Sequence, residues 1–280
     1  MKLKCIDLFA GIGAWELAGR LVNSNSQIKL ETIEFIEINP YAQRVLGEHF
    51  PEIPIHSDVR SYNAIPHKAD VFFCSFPCTN TSAAGKKEGL AGNESGLWFE
   101  ALRCIIIGRP MFVIIENPVG LIDRGLRTIL GSLRMAGFET EVEIISASEC
   151  GAPHERKRVF VIGYADNLCL RERQNFCCWF DQVGKQLAIA RSFTSYPEIK
   201  PSSVSVDARN PAYLAGVHYE NWWRMNPPPA NIGLPRYTPG RAEAVTLAGL
   251  SICVPQATVP LMRLQFLAHL LSNQHIRRSN

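Results

Sequence analysis

The chain has 280 residues, of which 46% are hydrophobic and 20% charged, and a net charge of +3. This composition leaves room for one sizeable globular domain and a small second one, and excludes a chain disordered overall. The mildly positive balance permits a nucleic-acid partner through a local patch without requiring one.

Cys5 to Ala10 reads as a short apolar strand running into Gly11-Ile12-Gly13, with Ala14 to Val22 as the helix behind it. Leu30 to Ile38 is a second strand. Asn39 and Pro40 then serve as N-cap and first helical residue of a helix from Tyr41 to Phe50. Ile53 to His56 is a short strand. Val71 to Phe76 and Met111 to Ile115 are apolar without alternation, the pattern of strands buried on both faces. Leu97 to Ile107 and Gly125 to Ala136 are helical, the latter with Gly137 at the C′ position. Glu141 to Ser146 and Val159 to Tyr164 are the last two strands. Such alternation predicts an α/β fold, a mostly parallel twisted sheet with helices on both faces.

The texture changes after Ala165. Residues 166–240 hold scattered aromatics, prolines and charges without sustained periodicity, which predicts a small irregular second module. Pro255 to Leu271 predicts one amphipathic helix that docks back on the first domain. The expected division is therefore 1–165 with 241–280, and 166–240 between them. Nine cysteines, an odd number without repeated CxxC spacing, suggest no zinc ribbon, disulfide framework or metal site. Cys5, Cys74 and Cys104 read as small buried hydrophobes. The first residues lack the layout of a signal peptide, and no apolar run is long enough to span a bilayer, so the expectation is a cytoplasmic protein without a membrane.

The candidate chemistry lies at strand ends. In Asp7-Leu8-Phe9-Ala10-Gly11-Ile12-Gly13 a strand ends in glycines that let the backbone approach a ligand at a helix start. A packing turn reads the same way, and Glu16 departs from the third glycine of the GxGxxG dinucleotide pattern. Glu37, ending the second strand, can accept from both ribose hydroxyls, or be a solvated charge beside the Asn39 cap. Asp58, after the third strand, can accept from an adenine amino group, or serve an ordinary turn. Together these three stand where open α/β sheets bind an adenosine-bearing ligand.

Ser75-Phe76-Pro77-Cys78 follows a buried strand and leads into a polar, glycine-bearing loop able to act as a lid. Cys78 is a candidate nucleophile there. Lys86 and Lys87 in the loop can meet phosphates, or be solvated charges. Glu116-Asn117-Pro118 puts a carboxyl at the end of a buried strand, costly without a task, where it can act on the N3 and N4 edge of a cytosine. Arg156 and Arg158 alternate as the next strand begins and can hold a base carbonyl, or form a surface charge cluster.

The ordered set DLFAGIG, FPC, ENP and PHERKR resembles the cytosine-C5 DNA methyltransferase family of bacterial or phage type, over Cys5 to about Ala165, with Leu250 to Gln256 a weaker match to its last motif. The resemblance implies a Rossmann-like, S-adenosylmethionine-dependent catalytic domain. It implies methyl transfer to C5 of a flipped-out cytosine in a specific duplex DNA sequence, through a covalent adduct between Cys78 and C6. By the same resemblance Glu116 holds and helps protonate the N3 edge, Arg158 contacts the base carbonyl, and Arg156 supports the loop around Cys78. Phe9, Gly11, Gly13, Glu37, Ile38, Asp58, Pro77 and Ser251 fall on cofactor positions. Ser82, Lys86, Lys87 and Arg224 are expected DNA contacts, and 166–240 is the expected target-recognition region, with Arg171, Arg173, Arg191, Lys200 and Arg209 as further candidates. The implied partners are double-stranded DNA and a cognate restriction endonuclease acting separately; the chain is expected to be a monomer.

Thr79 and His154 stand where the family usually has glutamine, and Leu250-Ser251 where Gly-Asn is usual. These departures keep open a DNA-binding relative with little activity, against which Cys78, Glu116 and Arg158 speak. A tRNA cytosine methyltransferase of the same fold carries a recognition signature not found here. A nucleotide-binding oxidoreductase leaves FPC, ENP and PHERKR unexplained.

Overall fold

The computed structural model describes residues 1–77, 96–152, 155–193 and 251–272. Seven strands, β1 (Lys2–Leu8), β2 (Lys29–Ile36), β3 (Ile55–His56), β4 (Val71–Cys74), β5 (Phe112–Pro118), β6 (Phe138–Ser146) and β7 (Lys157–Ala165), form one sheet in the order β3-β2-β1-β4-β5-β7-β6. The pairs β1/β2, β1/β4, β2/β3 and β4/β5 are parallel, and β7 runs antiparallel to both β5 and β6. The expected mostly parallel sheet is therefore present, with one strand reversed. Leaving neighbouring strands β1 and β4, the chain winds outward in opposite directions. The crevice beyond their carboxyl ends is the switch point at which such sheets bind ligands.

Among the described residues the helices are α1 (Ala14–Asn23), α2 (Pro40–His49), α3 (Leu97–Gly108), α4 (Leu121–Arg124), α5 (Leu126–Met135), α6 (Phe180–Ser192) and α7 (Val254–Ser272). Local chemistry sets several ends. The Asn39 side chain accepts from the backbone N–H of Tyr41 and Ala42, with Pro40 opening the helix as expected. Gly137 follows α5 with φ 82, where a left-handed residue ends the helix. Strands β4 and β5 are buried on both faces because an apolar layer covers each side. One layer includes Trp15 and Val22 of α1, Trp179 and Ala190 around α6, and Leu261, Leu264 and Leu267 of α7. The other includes Trp98 and Ile105 of α3 with Ile129 and Leu133 of α5.

Two expectations change here. The terminal helix is not amphipathic: α7 is buried on nearly every side, lying on α1 and α6. Its polar residues find partners rather than water. Arg263, fully buried, donates Nε and NH2 to the two Glu141 carboxylate oxygens at 2.8 and 2.9 Å, NH1 to Gln182 Oε1 at 2.7 Å, and NH2 also to Cys177 O at 2.8 Å. A buried charge survives only when satisfied in this way. Gln265 and Gln256 donate to the backbone carbonyls of Ile28, Ile145 and Arg156.

The second change concerns the boundary after Ala165. Residues 166–193 share the core of the sheet: Leu170, Trp179 and Ala190 join the same apolar layer as α1 and α7. Periodicity fails after Ala165 because the chain makes two short 3-10 turns before α6, not because a separate module starts. Three arginines expected to face DNA make bonds within the chain. Arg171 binds Tyr164 Oη and pairs with Glu139; Arg173 donates to the carbonyls of Leu168 and Leu270; Arg191 donates to Glu149 O.

Candidate active site

The turn after β1 is built by its backbone. Phe9 has φ 65, rare for a residue with a side chain, and Gly11 and Gly13 have φ 56 and 85. The N–H groups of Phe9 and Ala10 both donate to Ile36 O of β2, which curls the chain back over the sheet edge. Gly13 has no room for a Cβ, which would sit 2.5 Å from the Phe50 ring; a Cβ at Gly11 would meet no described atom within 4 Å. One glycine is thus needed for packing, and the other faces no neighbour among the described residues.

Glu37 closes this turn from the end of β2. It is buried rather than solvated: Gly11 N–H donates to Oε2 at 2.7 Å and Asn39 N–H to Oε1 at 2.8 Å. Burial raises its pKa, and these backbone donors oppose the rise. The Ile38 N–H also bonds to this carboxylate; of about four acceptor directions, one stays available for a ligand hydroxyl. Ile38 beside it is 60% exposed, and Phe9 and Pro77 are half-buried. Asp58, a third exposed at its side chain, accepts the Arg60 N–H at 2.9 Å. The loop that carries it is clamped by Arg103 of α3, which donates to the carbonyls of Val59 and Tyr62. Asp7, on β1, opens the DLFAGIG motif, in which the sequence assigns it no role of its own. It is fully buried, and neither carboxylate oxygen has a hydrogen-bond partner among the described residues. Burial, with Glu37 and Glu16 nearby, pushes its carboxyl well above the usual range.

These features fit an adenosine-bearing cofactor that also carries cationic groups. No described atom crowds the Gly11 turn, Glu37 has acceptor capacity left, and the Asp7 carboxyl, near Glu37, has no hydrogen-bond partner among the described residues.

The second half of the site comes from β5 and β7. In their antiparallel register Pro118 lies opposite Arg158, which puts Glu116 and Arg158 on one face two residues apart. Arg158 Nε meets Glu116 Oε1 at 2.7 Å, a close ion pair. Burial raises the Glu116 pKa; Arg158, Arg156 and a hydrogen bond with Ser75 counter it. Arg156 reaches across 95 residues to donate NH2 to Ser251 O at 2.8 Å, and burial beside Arg158 brings its guanidinium down to about 10. Ser251 is buried, its hydroxyl donating to Ile252 O. Asn117 Nδ2 donates to Phe76 O at 3.2 Å, tying the end of β5 to the segment after β4. The surface-cluster reading of the two arginines therefore does not hold: Glu116, Arg156, Arg158 and Ser251 converge. Cys78, Ser82, Lys86, Lys87 and Arg224, with Thr79, His154, Lys200, Arg209 and Leu250, lie outside the described residues.

Asn117, Ser75 and Trp15 also contribute, and no sequence signal marked them beyond their places next to ENP, FPC and DLFAGIG. Among the described residues no cluster of three or more metal-ligating side chains occurs, and no helix is long and apolar enough to cross a membrane.

The family model for C-5 cytosine-specific DNA methylases matches residues 3–200. The chain is 30% identical over 167 residues to the Type II methyltransferase M.BanI of Aneurinibacillus aneurinilyticus, covering 58% of this chain and 39% of that protein. It is 33% identical over 175 residues to the Type II methyltransferase M.DsaV of Dactylococcopsis salina, covering 59% and 46%. Less than half the length of these curated relatives is thus matched. Among solved structures, the Dnmt2 methyltransferase of S. pombe superposes with a TM-score of 0.58 at 14% identity, covering 96% of this chain and 99% of that one. The Entamoeba histolytica methyltransferase EhMeth gives 0.59 at 17%, covering 95% and 98%. At these identities the structures support the fold alone.

Proposed function

We propose that this chain, which belongs to the C-5 cytosine-specific DNA methylase family, transfers a methyl group from S-adenosylmethionine to C5 of a cytosine in double-stranded DNA, with Cys78 as covalent nucleophile. The observation that carries this reading is the convergence of Glu116, Arg158 and Arg156 beside the segment that leads from β4 to Cys78. The cofactor, when bound, supplies an electrophilic methyl on a sulfonium. Phe9, Gly11, Gly13, Glu37, Ile38, Asp58, Pro77 and Ser251 are the residues that would hold it, with the buried Asp7 near Glu37.

C5 of cytosine is a poor nucleophile at rest. The Cys78 thiolate adds to C6, and the displaced electron pair makes C5 nucleophilic. Glu116 gives a proton to N3, so the ring does not accumulate negative charge. Burial, which raises the Glu116 pKa, favours the protonated form that this step needs. Arg158 donates to the base carbonyl. Once C5 is methylated, its proton leaves to a base, the C6–S bond breaks to return the thiolate, and N3 returns its proton to Glu116.

The cytosine must leave the duplex to be reached, at a cost of a few kcal/mol. Target recognition on this reading falls to the part of residues 166–240 that follows α6, with Ser82, Lys86, Lys87 and Arg224 meeting the DNA. The enzyme acts as a cytoplasmic monomer. The similarity to Type II methyltransferases supports a separately acting restriction endonuclease as its counterpart.

The test is transfer of radiolabelled methyl from S-adenosylmethionine to unmethylated duplex DNA and, in parallel, to tRNA, with wild type and Cys78→Ser. Label on DNA from wild type alone is the expected result, with cofactor binding retained in the variant. Turnover by Cys78→Ser would remove the covalent mechanism, and label on tRNA alone would replace the substrate.

A further inference from the structure

Trp15, the second residue of α1, is buried with its ring stacked on Phe73 of β4, centroids 5.0 Å apart. A buried indole N–H needs an acceptor, and Nε1 donates to Ser75 Oγ at 3.0 Å. Ser75 is the first residue past β4, and its hydroxyl is also hydrogen-bonded to the Glu116 carboxyl. A serine hydroxyl has one hydrogen and two lone pairs, and an indole N–H only donates. With one lone pair taken by Trp15, the single hydrogen goes to the Glu116 carboxylate, which only accepts. The result is a one-way line of donors from the helix that starts at the glycine turn to the carboxyl between β4 and β7. Arg158 meets the same carboxyl from β7, and Arg158 and Arg156 are the charged groups that act on it.

We propose that Trp15 and Ser75 are positioning residues for Glu116: the Trp15–Ser75 relay fixes the orientation in which the carboxyl meets the base edge. This rests on the reading of Glu116 as the group that faces cytosine N3. It also links the two halves of the site, because the residue that starts the relay lies two positions after Gly13. A serine without the indole donor is free to turn its hydrogen elsewhere, so both members are needed.

The experiment follows the Glu116 carboxyl directly, by carbon-13 NMR of protein labelled at the glutamate side-chain carboxyl, with Glu116→Gln to assign the resonance. Wild type, Ser75→Ala, Ser75→Thr, Trp15→Phe and the Ser75→Ala/Trp15→Phe double variant are titrated. The expected result is an upward move of the Glu116 midpoint by about one pH unit or more in Ser75→Ala and Trp15→Phe, with Ser75→Thr titrating as wild type and the double variant moving no further than Ser75→Ala. An unmoved midpoint in Ser75→Ala, a Ser75→Thr midpoint that follows Ser75→Ala, or additive shifts would overturn the relay. Ser75→Ala and Ser75→Thr change little volume, so they decide the matter even if Trp15→Phe fails to fold. Methyl transfer to duplex DNA is measured on the same samples. Its absence in wild type would remove the functional reading, while the carboxyl titration still judges the relay.

Discussion

The two halves of the site are made by different means. On the β1/β2 side, one stretch of chain does most of the building: Phe9 to Gly13 curls under its own positive φ angles, and Glu37 pins it through backbone N–H groups. On the β5/β7 side, the functional groups are charged and come from separate strands, and each is held by the others: Glu116 by Arg158 and Ser75, Arg156 by Ser251. A site made of backbone tolerates loss of a side chain better than a site made of mutually compensating charges, where removing one member leaves another buried and unpaired.

The largest effect is therefore expected on the charged side. Arg158→Ala should lower methyl transfer by about two to three orders of magnitude while leaving cofactor affinity within a few fold, measured by single-turnover labelling and by cofactor titration. An equal loss in affinity would mean that the halves are not separable. Gly13→Ala should be the most damaging change on the backbone side. A Cβ there would press on Phe50 at 2.5 Å in a conformation with φ 85, so destabilisation of about 1–3 kcal/mol in urea unfolding is expected, together with weakened cofactor binding. Glu37→Gln keeps the shape but loses the charge. Cofactor affinity should fall by about ten-fold or more, from a charge-assisted bond of about 1.5–3 kcal/mol, with only a small change in melting temperature.

The smallest change is a gain. Burial, Glu37 and Glu16 hold the Asp7 carboxyl well above its usual range. From about pH 4 upward the unfolded chain ionises this group before the folded one does. Asp7 therefore makes stability decline with rising pH until its folded pKa is reached. Asp7→Asn should remove the decline, so that the cofactor-free variant is more stable than wild type at about pH 7 and equal to it at about pH 3. Urea midpoints across that range check the sign. A variant less stable at neutral pH would show that Asp7 is paired in solution, and the cationic fit of the cofactor side would lose its main support.

Much of this was legible in the sequence, because strand ends follow from local periodicity. The apolar runs at Val71 and Phe112 place Ser75 and Glu116 at carboxyl ends, and the Asn39-Pro40 cap places Glu37. The motif order alone pointed to the family. Other features were not legible. Scattered aromatics after Ala165 looked like a separate module because Leu170 and Trp179 lie in irregular segments where no repeat betrays burial. The terminal helix looked one-sided because a buried Arg263 and Gln265 mimic a polar face until Glu141 and Ile28 are seen to meet them.

By itself the sequence determined the alternation of strands and helices, the glycine turn and the identity of the groups at strand ends, all properties of residues a few positions apart. Tertiary structure alone decided which of those groups meet. Arg158 reaches Glu116 because β7 runs antiparallel beside β5, Arg156 reaches Ser251 because α7 returns to the sheet, and Trp15 reaches Ser75 because β1 and β4 are neighbours. Pairings of this kind depend on strand order and on the return path of the chain. These are set by burial summed over the whole core, so the spacing of a motif carries no trace of them.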